Sequence, residues 1–130
     1  MTNEVPYHAH VYYTAESRSV AQRLREQFVN AQVAAFGQQI AFVGEMVDFA
    51  VGPHPLPQYE VHFLSSSLGS VVRRVKISGL SALIHPLTND DLRDHTTLSR
   101  WVGEPLDLDM SALKPRGQSE ALLQFGKTDH

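Results

Sequence analysis

The chain has 130 residues, 42% of them apolar, enough for one domain with one core. Its 11 basic and 14 acidic residues give a formal charge of -3, which excludes the basic field that nucleic acid or an anionic membrane surface would require. Cysteine is absent, so there can be no disulfide framework and no thiolate-held metal, and any metal must be taken by nitrogen and oxygen donors. No stretch approaches the roughly 18 apolar residues of a membrane span. The opening Met-Thr-Asn-Glu-Val-Pro has neither part of a secretory leader, and a cytoplasmic setting is the expectation.

Residues 5–13 alternate in the manner of a strand. Val5, Tyr7, Ala9, Val11 and Tyr13 fall on one face, and His8, His10 and Tyr12 on the other. Thr14 is expected to cap a helix to about Ala31, whose apolar stripe is Val20, Leu24 and Phe28, extended by Ala21 and Ala31. Gln39–Val51 is β-prone and predicts a second strand, with Gly44 as a bend or bulge. Residues 52–58 hold one glycine and three prolines and predict a rigid loop carrying His54. Tyr59–Leu64 predicts a third strand, with Glu60 and His62 on the face opposite Tyr59, Val61 and Phe63. A second helix is expected from Ser65–Ser67, with Leu68, Val71, Val72 and Val75 inward and Gly79 ending it. Leu80–His85 predicts a fourth strand, stopped by Pro86. Asp90–Val102 reads as a short helix or helix-loop anchored by Leu92 and Trp101. Leu106, Leu108 and Met110 alternate as in an edge strand, and residues 115–130 form a polar tail after a domain of residues 1–114.

The order β-α-β-β-α-β defines an α+β, ferredoxin-like sandwich with both helices on one sheet face. The other face, left open, would be covered by a second copy, so a homodimer closing into a barrel-like assembly is expected. His8, His10, Glu60, His62 and His85 can all share that face.

Imidazole is the commonest protein metal ligand and titrates near neutrality, so separated histidines meeting on one face suggest metal or proton-transfer chemistry. His8 and His10 lie roughly 6.6 Å apart along their strand. They share an ion only if their rings converge; the plain alternative is a hydrogen-bonded polar strand face. Pro53 and Pro55 stiffen the backbone around His54, the alternative being a tight turn with an exposed histidine. His85 ends an apolar strand and can aim into a cleft. Glu60 could serve as ligand, as orienting carboxylate or as proton acceptor, with His62 beside it as strand or interface residue. His95 follows Asp94, as an oriented base would. Tyr12 shares the histidine face and could line a pocket.

The segments His8-Ala9-His10-Val11-Tyr12-Tyr13, Gly52-Pro53-His54-Pro55-Leu56-Pro57, His85-Pro86-Leu87-Thr88, Asp94-His95 and Trp101-Val102-Gly103-Glu104 together resemble the small DOPA 4,5-dioxygenase family of fungi and bacteria, over roughly residues 6–113. The resemblance implies a ferredoxin-like fold, often dimeric, and non-heme metal-dependent extradiol cleavage of a catechol ring with molecular oxygen. It implies His10, His54 and His85 as metal ligands, with His8 replacing or assisting His10, and His95 or His8 moving the proton. Glu60 completing a two-histidine-one-carboxylate set is the alternative to all-histidine ligation. Fe(II) is the implied catalytic metal, and zinc or nickel could occupy the same nitrogens in purified protein. The implied partners are a catechol, O2 and a second copy, with no nucleic acid or membrane. The chain departs from the family pattern at Phe42–Val51, and at Ile77-Ser78-Gly79, where an Arg-Gly-Gly-like lead is usual. Both departures bear on recognition of the substrate carboxylate. The competing expectations are a related metalloenzyme for another small molecule and a noncatalytic ligand-binding dimer.

Overall fold

The computed structural model describes residues 4–33, 40–88 and 90–113. Among these residues five strands form one antiparallel sheet: β1 (Pro6–Tyr12), β2 (Ile40–Val43), β3 (Gln58–Leu64), β4 (Ala82–Pro86) and β5 (Arg100–Val102). Three helices accompany them: α1 (Arg18–Val33), α2 (Leu68–Ser78) and the short α3 (Asp91–His95). The sheet order is β2-β3-β1-β4-β5. Its first four strands have the ferredoxin-like arrangement, with the first and third strands central, and β5 extends the β4 edge.

The alternation predicted for β1 and β3 holds. Ala9, Val11, Val61 and Phe63 turn toward α1 and α2 and are fully buried with Leu24, Phe28, Val71 and Val75. Burying such side chains gives about 1.5–3 kcal/mol each, and this layer holds the sheet and helices together. Val5, expected on the same face, lies before the strand and is exposed. Gly79 ends α2 as expected, at φ +79°.

Four elements differ from expectation. Helix α1 opens at Arg18 rather than just after Thr14, because Thr14 and Ser17 form a turn first: the Thr14 N–H donates to Ser17 Oγ at 2.9 Å and the Ser17 N–H to Thr14 O at 3.2 Å. The long second strand is cut to Ile40–Val43, and Gln39 lies outside the described residues. A register shift between Ile40 and Phe42 disturbs the ladder, Arg25 Nε donates to Gly44 O at 2.7 Å, and pairing resumes only as a lone bridge from Val47 to Gln58. The end of the predicted helix-loop is instead β5, with Arg100, Trp101 and Val102 facing Ile84, Leu83 and Ala82. Because β5 takes that sheet edge, Leu106–Met110 does not form an edge strand. The segment runs irregularly into a 3-10 turn at Met110–Ala112, with the Asp109 N–H held by Pro53 O at 2.8 Å. The tail at 115–130 lies outside the described residues.

The second sheet face is not bare. His8, His10, Tyr12, Gln58, Glu60, His62 and His85 are all buried within one chain, beneath the His54 loop, α3 and Trp101. A second copy is therefore not needed to cover them. Among the described residues no helix is long and apolar enough to cross a membrane.

Candidate metal centre

Strand register brings the chemistry together. His8 faces His62 on β3 and His85 on β4, while His10 faces Glu60 and Leu83. Directly opposed residues share a sheet face, so β1, β3 and β4 present one continuous layer of imidazoles and one carboxylate.

Two segments outside the central strands complete it. In the Val51–His54 turn, Gly52 sits at φ +58°, which glycine adopts without steric cost, and the His54 N–H donates to Val51 O at 3.0 Å. The Tyr13 N–H donates to Pro57 O at 3.0 Å and ties the loop to the end of β1. The His54 ring lies 4.1 Å from the His10 ring, and its Nδ1 shares a 2.7 Å hydrogen bond with the Tyr12 hydroxyl. Burial pushes the Tyr12 hydroxyl well above its ordinary pKa, so it stays protonated. On the other side, Asp94 accepts from the Thr88 N–H at 2.9 Å and the Thr88 hydroxyl at 2.7 Å. That clamp fixes α3 against the chain leaving β4 and sets the His95 ring 4.1 Å from His85.

The protonation of two rings follows from their partners. His85 Nδ1 lies 2.8 Å from Pro86 O, and a carbonyl only accepts, so Nδ1 carries the proton. His10 Nδ1 lies 3.1 Å from Gln58 Oε1 and donates there. Both Nε2 atoms then present lone pairs, and these two nitrogens stand 3.0 Å apart. Two lone pairs at that distance repel unless a cation lies between them. Burial first, and then the neighbouring imidazoles, hold His8, His10 and His85 well below the ordinary histidine pKa. The rings are neutral near pH 7, the form that ligates metal. Nitrogen-rich donors of this kind suit first-row divalent ions, so the residues fit the metal that the sequence implied.

Among the described residues, three buried groups have donor atoms within 4.8 Å of one another: His8–His10–His85, His10–His54–His95 and His8–Glu60–His62. The expected ligands His10, His54 and His85 are thus divided between two groups, with His10 common to both. The expected proton-transfer residues His95 and His8 sit one in each. Glu60, His62 and Tyr12 all belong to the same layer. Sequence reasoning missed Gln58, which it left in the loop; extending the alternation of residues 60 and 62 back by one step would have found it. It also missed the Asp94–Thr88 clamp, which sequence proximity does not signal.

A cleft of about 400 Å³ opens beside His95, walled by Trp101, Leu106, Leu108 and Met110, with Thr96, Thr97 and Ser99 along its polar side. Trp101 stacks on Tyr12 at 5.8 Å, which connects the cleft wall to the histidine layer.

An α+β sandwich with a buried, cleft-side group of imidazoles able to ligate a divalent ion supports a metal-dependent small-molecule enzyme. Residues 7–112 match the Dopa 4,5-dioxygenase family, and the chain belongs to it. It is 32% identical to a DOPA 4,5-dioxygenase of Amanita muscaria over 92% of this chain and 54% of that one. It is 29% identical to an uncharacterized 21.2 kDa protein of Botryotinia fuckeliana, over 88% of this chain and 67% of that one. The crystal structure of a putative dioxygenase from Nostoc punctiforme superposes with a TM-score of 0.71 at 37% identity, covering 84% of this chain and 90% of that one. The chain thus spans about half to two thirds of the length of these curated relatives.

Proposed function

We propose that this protein is a non-heme, Fe(II)-dependent extradiol dioxygenase that opens the ring of DOPA or a related catechol with O2. The observation that carries the reading is the pair of inward lone pairs on His10 and His85, 3.0 Å apart and one imidazole away from an aromatic-walled cleft. Similarity to the Amanita muscaria DOPA 4,5-dioxygenase supports the substrate class.

In this reading His10 and His85 hold the metal and His54, which groups with His10 and His95 in the free protein, moves in as the third ligand, with Gln58 and Pro86 O fixing which nitrogen of His10 and His85 faces inward. Bound iron would supply Lewis acidity toward the diol and the redox chemistry that O2 requires. Trp101 and Leu108 give the ring a flat apolar wall, and the burial of the histidine layer keeps bulk water out. His95, the imidazole that borders the cleft, takes the proton from one catechol hydroxyl and returns it as the ring opens. His8 is the second proton carrier behind it. The C–C bond beside the diol breaks and both oxygen atoms enter the product as aldehyde and carboxylate, with all four electrons coming from the catechol. Zinc or nickel would fit the same nitrogens without supporting that electron transfer.

The departures from the family pattern at Phe42–Val51 and Ile77-Ser78-Gly79 favour a related catechol or another small molecule as the second reading. A homodimer of a cytoplasmic enzyme is part of the proposal, and light scattering reads it as a mass of two chains. The decisive assay is oxygen uptake by anaerobically Fe(II)-loaded protein with L-DOPA and a catechol panel, following visible absorbance. Uptake with a stoichiometric yellow product, absent without iron, is expected. Verified iron loading with no uptake on any catechol would leave a noncatalytic ligand-binding role.

A further inference from the structure

We propose that the cleft beside His95 selects catechols whose side chain ends in a protonated amine and carries no carboxylate. The inference rests on the ring-cleavage reading for the catechol ring and adds the chemistry of the rest of the substrate.

The polar side of the cleft is built from acceptors. The Thr96 hydroxyl donates its proton to Leu92 O at 2.6 Å, and the Ser99 hydroxyl donates to Thr96 O at 2.7 Å. A hydroxyl has one proton and two lone pairs, so both oxygens have only lone pairs left for a ligand. The backbone repeats the pattern: the N–H groups of Thr96 and Leu98 donate to Arg93 O, and that of Ser99 donates to Thr96 O. Thr97, the third residue on that side, is exposed to water. An ammonium group only donates and a carboxylate only accepts. This side therefore suits the first and leaves the second unpaired.

The charges agree. Residues 106–110 run as a strap with two sides. Leu106, Leu108 and Met110 wall the cleft. Asp107 and Asp109 alternate with them and line a hollow of about 350 Å³ against the His54 loop, and Leu108 borders both spaces. Each aspartate is one residue from the cleft wall, about 3.8 Å along the chain, inside the roughly 8 Å screening length of physiological salt. Among the described residues no lysine or arginine lines either space. Arg100 shares the strand face of Val102, which packs in the helix-side core, so it points away from Trp101. Arg93 lies two positions before His95 on α3, nearly opposite it around the helix. The other described basic residues belong to α1 and α2, across the sheet. Lys114, Arg116 and Lys127 lie outside the described residues.

The test compares dopamine, ethylcatechol, dihydrocaffeate and L-DOPA, which share the ring and differ in side-chain charge. Dissociation constants are measured on Zn(II)-loaded protein without oxygen, by quenching of Trp101, the single tryptophan of the chain and a wall of the cleft. Dopamine should bind tightest and ethylcatechol next, with dihydrocaffeate about tenfold or more weaker than dopamine. Asp109 also caps the 3-10 turn through Ser111, so Asp107 is the residue to vary. Asp107→Asn should cut the advantage of dopamine over ethylcatechol several-fold at low salt and leave ethylcatechol unchanged; an unchanged advantage overturns the part given to Asp107. Equal affinities, tighter binding of dihydrocaffeate, or no quenching by any of these catechols overturns the inference. Oxygen uptake by the Fe(II)-loaded protein separates the two claims. The expected binding order without uptake overturns ring cleavage and leaves the selectivity standing, whereas uptake with no side-chain preference overturns the selectivity alone.

Discussion

The two faces of the sheet are equally buried and chemically opposite. On the helix side Ala9, Val11, Val61 and Phe63 pack as an apolar layer; one residue along each strand, His8, His10, Glu60 and His62 are sealed off to the same degree. Apolar burial is favourable in itself. Burial of imidazoles and a carboxylate is not, unless each finds a partner. The helix face therefore explains why the chain folds, whereas the opposite face is the part whose composition folding alone does not account for. The Nε2 atoms of His10 and His85, drawn together with their protons pointing away, show what that face is arranged to receive.

If the faces divide labour in this way, variants should separate stability from metal binding. Phe28→Ala, at a fully buried site under α1, should cost about 3–5 kcal/mol in urea unfolding while leaving metal affinity per folded molecule unchanged in calorimetric titration. A parallel loss of affinity would break the comparison. His85→Ala should do the opposite, keeping the far-ultraviolet dichroism but weakening Fe(II) or Co(II) binding by more than the roughly 10–100-fold typical of an outer partner. Gln58→Leu removes the acceptor that aims His10 and should fall within that roughly 10–100-fold range, read by the same titration.

The pH dependence of the metal-free protein sharpens the contrast. Burial holds the folded pKa values of His8, His10 and His85 well below the ordinary histidine value, so below about pH 6.5 the unfolded chain binds protons that the folded one refuses. Stability should be complete above about pH 6.5 and fall progressively as the pH drops toward the depressed folded values. Urea titrations between pH 8 and 5 check this, and a flat profile would contradict it. The smallest effect is expected at the cleft: Trp101→Ala should lose about 0.5–1.5 kcal/mol of ring stacking, seen as a several-fold rise in KM with little change in kcat.

The strands were legible where period-two alternation had something to alternate. Tyr7 to Tyr13 and Tyr59 to Leu64 switch between apolar and polar residues, and both faces followed directly. The β-α-β-β-α-β order then gave the sheet arrangement. Short elements were not legible. Arg100–Val102 has only three residues and is a strand because β4 offers a free edge, a tertiary fact absent from its local sequence. Leu106 to Met110 alternates just as well and stays irregular, because that edge is already taken. In the site, His8, His10, Glu60, His62 and His85 could be placed on one face from alternation alone. The approach of His54 and His95 depends instead on the Pro57–Tyr13 tie and the Asp94–Thr88 clamp, contacts between segments far apart in sequence or folded back upon themselves.

The claim that the histidine face is completed by a metal is tested most directly by thermal unfolding of the chelated protein with and without added Fe(II), under anaerobic conditions at pH 7.5. At an ion concentration about 100 times Kd, binding to the folded state alone adds about 2.7 kcal/mol, a rise of roughly 10 °C in Tm for a domain of this size. The account predicts that rise in the wild type and its disappearance in His10→Ala. An unchanged wild-type Tm at saturating Fe(II), or an equal rise in His10→Ala, would contradict it.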